Sequence, residues 1–160
     1  MAMETRSSAA DPAASAKRPS MVSRVLVAGQ FALLGGLAAS AARPAPWAWG
    51  LLAAGVVLGL WALAAMPIRQ LRVVPETHPA GRLVCSGPYR WIRHPMYAAV
   101  LLVAAGALAT DPAPARLAMG LALAILLAVK LIREEKLLRL AYPDYAVYQA
   151  STWHLVPWVW

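Results

Sequence analysis

Gly87-Pro88-Tyr89-Arg90-Trp91-Ile92-Arg93-His94-Pro95-Met96-Tyr97 is the stretch on which the reading of this chain turns. It crowds aromatic, cationic and imidazole groups together, with long apolar runs on either side. The chain has 160 residues, 61% hydrophobic and 14% charged, whereas a soluble domain averages about 25% charged residues. In that setting the stretch divides an integral membrane protein into two hydrophobic halves. The expected fold is all-α, with about four transmembrane helices followed by a C-terminal interfacial helix and an aromatic tail. The length allows one domain.

Upstream, residues 1–20 are rich in Ala, Ser and Pro, with no apolar period, and read as a disordered cytoplasmic tail. The folded domain is therefore taken as residues 21–160. Residues 22–42 are apolar apart from Ser23, Arg24, Gln30 and Ser40, long enough as a helix to cross ~30 Å of hydrocarbon. Ala39-Ser40-Ala41 also resembles the cleavage site of a leader peptide; the polar stretch ahead of it favours a retained helix. Arg43-Pro44-Ala45-Pro46 makes a rigid turn, with Trp47 and Trp49 as interfacial anchors. The second span covers residues 47–66 and stops at Pro67, which cannot continue a helix. Its Gly50, Gly55 and Gly59 permit close helix contact in lipid.

Downstream, residues 95–109 form a short third span, and Thr110-Asp111-Pro112-Ala113-Pro114 turns the chain into a fourth over residues 115–132. Residues 133–160 mix charge with leucines and then with Tyr142, Tyr145, Tyr148, Trp153, Trp158 and Trp160. That pattern suits a helix leaving the bilayer and an aromatic tail along its surface.

The net charge of +8 is explained by its placement. Of the 15 lysines and arginines, all but Arg43 and Arg116 precede or open the first span, sit in the connector of residues 68–94, or lie at and beyond the end of the fourth span. Four spans with both termini and the connector in the cytoplasm satisfy the positive-inside rule. A multi-pass protein of a bacterial inner membrane is expected, and no nucleic-acid partner is required. Cys85 is the single cysteine, so no intrachain disulfide forms. His78, His94 and His154 lack metal-ligand spacing, and no metal is expected.

Two polar clusters carry the chemistry. Pro95 suits the first position of a helix, which puts His94 at its cap and Tyr97 one turn in on roughly the same face. The free N–H groups and dipole of such a helix start can seat an anion, and Arg93 adds a fixed positive charge. An ordinary interfacial helix start is the competing reading. Glu134-Glu135 follows the fourth apolar run, where adjacent carboxylates are costly unless paired, hydrated or functional. Lys130, Arg133, Lys136 and Arg139 offer helix-spaced partners, so a solvated charged helix end competes with a ligand-holding carboxylate. A short turn joins the third and fourth spans. They should be antiparallel neighbours, bringing His94 and Tyr97 close to the glutamate pair.

Leu83-Val84-Cys85-Ser86-Gly87-Pro88-Tyr89, Arg93-His94-Pro95-Met96-Tyr97 and Glu134-Glu135, with Tyr142, Tyr145 and Tyr148, resemble the isoprenylcysteine carboxyl methyltransferase and phospholipid methyltransferase superfamily. The resemblance covers a motif-bearing core of residues 82–157. It implies a membrane-embedded methyltransferase that uses S-adenosylmethionine and methylates a lipophilic or small acceptor carrying a carboxylate, amine or thiol. It further implies that Leu83, Val84, Tyr89, His94, Pro95, Met96, Tyr97 and Glu134 contact the cofactor. Lys130 stands where relatives place a substrate-binding arginine; it lacks the bidentate fork. With Lys130, Arg93 and Glu135 are the candidates for touching the acceptor. No residue is assigned a catalytic role beyond positioning, and membrane lipids are the expected surroundings. Three other classes compete. A transporter would need an ionisable group well inside a span, and Lys130 is close to an end. A non-catalytic membrane protein, or a nicotinamide-dependent reductase of related fold, are the others.

Overall fold

The computed structural model describes residues 20–40, 45–66 and 83–158. Most of the N-terminal tail, the turn at Arg43, the connector through Arg82 and the terminal Trp160 lie outside the described residues. Within them the chain is helical: α1 (Met21–Ala39), α2 (Ala48–Ala65), a 3₁₀ turn (Gly87–Arg90), α3 (Pro95–Leu108), α4 (Pro114–Ala141) and α5 (Tyr145–Ser151). Helices α1, α2 and α4 are long and apolar enough to cross a membrane, and α3 is a shorter apolar helix.

Local chemistry fixes the helix ends. The Ser20 hydroxyl accepts from the Ser23 backbone N–H at 3.2 Å and caps α1. Pro95 and Pro114 open α3 and α4, where a missing N–H costs nothing. At the far end of α3, the Arg116 guanidinium donates to the Ala107 carbonyl at 2.5 Å and to Thr110 Oγ1 at 3.2 Å. One of the two basic residues expected opposite the charged face is thereby used as a helix cap.

Small residues set the packing. In α2 and α3, Gly59 faces Ala99, Gly55 faces Val103 and Leu52 faces Gly106, a descending register that makes the helices antiparallel. A Cβ on Gly55 would lie 2.7 Å from Val103 and 2.9 Å from the Ala99 carbonyl oxygen, so backbone contact here requires glycine. Gly29 against Leu126 and Gly36 against Met119 make α1 antiparallel to α4. Leu37, Ala104, Leu123 and Leu127 form the core, with Tyr97 packed against it. Phe31, Val56, Leu60, Leu121 and Ile125 point outward, as lipid-facing helices require.

Two details differ from the sequence reading. The fourth apolar run stops at Ile132, but α4 continues unbroken to Ala141. Arg133, Glu134 and Glu135 therefore lie within a helix with almost two further turns beyond them. The aromatic tail is also held more tightly than a surface strand would be. Ile92 and Trp153 form an isolated parallel bridge, with Arg93 N donating to Trp153 O at 2.7 Å and His94 N to His154 O at 3.1 Å. Of the N–H groups at the start of α3, the tail takes that of the cap residue, His94.

Candidate functional site

The site begins at Gly87, whose φ of +58° is open to glycine and strained for other residues. A Cβ there would also meet the Ala65 Cβ at 2.7 Å. Glycine lets the 3₁₀ turn press against the end of α2 and bury Pro88 and Tyr89. Tyr148 of α5 donates to the Tyr89 carbonyl at 2.6 Å, tying the turn to the C-terminal segment. Burial first, and the nearby Glu134 charge second, raise the Tyr89 hydroxyl well above its ordinary range.

From the turn the chain runs extended into α3 with Arg93 aimed inward. Its Nε donates to Glu135 Oε1 at 2.8 Å. Its Nη1 donates to the Gln149 carbonyl at 3.0 Å and to the Thr152 carbonyl. Both side chains of this ion pair are almost fully buried. Glu135 also accepts from Gln149 Nε2 at 2.9 Å. His94 Nε2 and His154 Nε2 lie 3.4 Å and 3.5 Å from its Oε1, and Arg139 lies 3.5 Å from its Oε2. The carboxylate is enclosed by donors from three parts of the chain, which joins the motif, α4 and the tail.

Glu134 is placed differently. Its Oε2 accepts from the Tyr97 hydroxyl at 2.7 Å and lies 3.7 Å from His94 Nδ1. Its side chain is 31% exposed, and no described residue bonds its other oxygen. The His94 and Tyr97 rings are stacked, 2° apart in plane with centroids at 5.4 Å. His94 makes no side-chain cap bond; its imidazole is committed to the two glutamates. Lys130 is buried, donating to Gln30 Oε1 of α1 at 2.6 Å with its ammonium 5.2 Å from the Tyr97 ring centroid.

Arg93, His94, Tyr97, Lys130, Glu134 and Glu135 thus converge at one end of the bundle. Pro95 is buried and Met96 half-buried beside them; Leu83 and Val84 are half-buried where the described connector begins, with no hydrogen bond to the cluster. Among the neighbouring tyrosines, Tyr145 is 1% exposed and its hydroxyl lacks a partner among the described residues. Burial and then the Glu135 charge raise that hydroxyl too. No group of three or more His, Cys, Asp or Glu among the described residues could hold a metal ion.

Gln30, Gln149, Thr152 and His154 were not singled out from the sequence. Gln30 had a signal, being a lone carboxamide midway along an apolar span, where a polar group needs a partner. Gln149 and Thr152 hold Arg93 through backbone carbonyls that any residue supplies, and the Gln149 carboxamide, which bonds Glu135, lies in a polar surface segment where a glutamine is unremarkable. Chemically, the cluster offers one enclosed carboxylate that fastens the structure and one open carboxylate, Glu134, able to accept hydrogen bonds from a ligand.

A helical membrane bundle with this polar cluster on α3 and α4 limits the class of protein, and comparison with known families identifies it. Residues 45–145 match the phospholipid methyltransferase family, and the chain belongs to it. It is thereby placed in the superfamily of membrane methyltransferases that the motif resembles. The match takes in α2, the 3₁₀ turn, α3 and α4; α1 and nearly all of α5 and the tail fall outside it. No curated protein and no solved structure matches the chain.

Proposed function

We propose that the protein transfers a methyl group from S-adenosylmethionine to a lipophilic or small acceptor, a carboxylate, amine or thiol, that reaches the site from the bilayer or the cytoplasm. The observation that carries this reading is the asymmetry of the glutamate pair: Glu135 is enclosed, while Glu134 keeps an open oxygen beside Tyr97 and His94. An open carboxylate suits a ligand rich in hydroxyl and ammonium donors, and the Tyr145 hydroxyl, without a partner among the described residues, is a further polar group in the neighbourhood. The residues present fit S-adenosylmethionine.

When bound, the cofactor supplies a methyl already activated by a positive sulfur. The chain's residues then have to position, dehydrate and hold charge. Glu134 would accept from donors on the cofactor. Tyr97 fixes that carboxylate by donating to it, and stacking keeps the His94 ring in register. Leu83, Val84, Tyr89, Pro95 and Met96 would supply apolar walls that exclude water. Arg93 and Glu135 hold the motif against the tail, so their contribution is to the shape of the site. A carboxylate or thiolate acceptor needs no general base; an amine must be neutral before transfer.

The site end of the bundle carries Arg24, Arg90, Arg93, Arg133, Lys136 and Arg139, and Arg116 lies at the other. The positive-inside rule therefore supports a cytoplasmic site and cytoplasmic termini. Titration of the purified protein with S-adenosylhomocysteine tests the reading. His94→Ala and Glu134→Gln should each weaken binding without unfolding the protein. Parental affinity in both variants, or preference for a reduced nicotinamide nucleotide, would refute it.

A further inference from the structure

Helix α1 lies outside the family-matched region, yet it contributes a side chain to the cluster. Gln30 lies about 14 Å into α1 at 1.5 Å per residue. It is 7% exposed, and Lys130, its partner on α4, is 1% exposed. An ammonium at this depth is costly unless held. The Gln30 carboxamide oxygen bonds it at 2.6 Å and the face of the Tyr97 ring lies 5.2 Å away, with the Glu134 charge near enough to favour it as well. Aromatic faces attract cations, more strongly when water is excluded. The same Tyr97 donates its hydroxyl to Glu134 at 2.7 Å. Contacts therefore run without a break from Gln30 through Lys130 and Tyr97 to the open carboxylate.

We propose that Gln30 is a positioning residue of the site: by accepting from Lys130 it keeps the ammonium against the Tyr97 ring, which fixes the hydroxyl that orients Glu134. Helix α1 is then a working part of the site. Without the Gln30 oxygen, the long Lys130 stem is free to carry its charge toward the membrane surface, and Tyr97 loses the cation that pins its ring. The inference rests on reading the site as a cofactor cradle.

The test is S-adenosylhomocysteine affinity of the full chain in lipid nanodiscs. Gln30→Leu should weaken binding about fivefold or more, while Gln30→Glu, which retains an oxygen acceptor for the ammonium, should stay within about twofold of the parent. In a Lys130→Met background, Gln30→Leu should add nothing, because its effect passes through the lysine. Should Gln30→Leu not fold, Gln30→Met gives the same comparison. Parental affinity in Gln30→Leu would overturn the inference, as would a Gln30→Glu variant as weak as Gln30→Leu. A Gln30→Leu penalty that persists on Lys130→Met would also overturn it, since Gln30 would then act by packing alone. If the parent itself fails to bind, the cofactor reading falls and this inference with it; if the parent binds and Gln30→Leu is indifferent, the inference alone falls.

Discussion

Removing a single charge from each of two adjacent glutamates should produce opposite phenotypes. In Glu135→Gln the Arg93 guanidinium stays buried but loses its anion at 2.8 Å. Removing one partner of a buried ion pair costs about 3–5 kcal/mol. Arg93 keeps its bonds to the Gln149 and Thr152 carbonyls, so the lower end, about 3 kcal/mol, is expected. In Glu134→Gln the amide oxygen still accepts from Tyr97, and the position is 31% exposed. Its stability should change by no more than about 1 kcal/mol, while ligand affinity falls. Thermal unfolding in detergent, followed by S-adenosylhomocysteine titration well below the midpoint, separates the two. Glu135→Gln should melt early, and Arg93→Met combined with Glu135→Leu should recover part of the loss, since neither charge is then left unpaired. A Glu135→Gln variant that melts with the parent, beside a Glu134→Gln variant that melts early, would refute this division of roles.

Gly87→Ala should destabilise the protein by at least about 1–2 kcal/mol, because the left-handed backbone penalises a side chain and the added Cβ would meet Ala65 at 2.7 Å; thermal unfolding checks it. Burial first, helped by the Arg93 charge and opposed by Glu135, lowers His154 from its ordinary 6.5. The folded state thus resists protonation, so the His154 contribution to tail docking is fully present above pH 6.5 and falls away as the pH drops through the lowered value. Limited proteolysis of the tail across that range should show the loss, and His154→Gln should flatten the pH dependence. Protease added to sealed inverted vesicles should reach both termini, and a C-terminus cut only in right-side-out vesicles would reverse the orientation.

The helices were largely legible in the sequence because lipid imposes a simple code. Apolar runs of set length, prolines at Pro95 and Pro114 and the turn at Thr110 mark them without tertiary information. The meeting of His94 and Tyr97 with Glu134-Glu135 followed from one step of topology, the short connection between α3 and α4. What each glutamate does was not legible. Glu134 and Glu135 are identical in sequence terms, and the helix rotation between neighbours turns one into a buried ion pair and the other toward open space. The tail was opaque for a different reason. It holds Arg93 through the main-chain carbonyls of Gln149 and Thr152, and its pairing with Ile92 uses backbone alone, which leaves no mark on residue identity. Gln30 could have been found. A carboxamide stranded in an apolar helix asks for a partner, and Lys130, taken as lying near a span end, was the polar residue able to supply one.

Methyl transfer from S-adenosylmethionine at the Glu134 site is open to direct measurement. Membranes containing the protein, incubated with methyl-labelled S-adenosylmethionine, should pass label into an extractable lipid, a protein or a small volatile product, and Glu134→Gln should abolish or sharply reduce that transfer while the protein stays folded. Label that stays in the donor with every membrane fraction, or transfer that Glu134→Gln leaves at the parental rate, would contradict it.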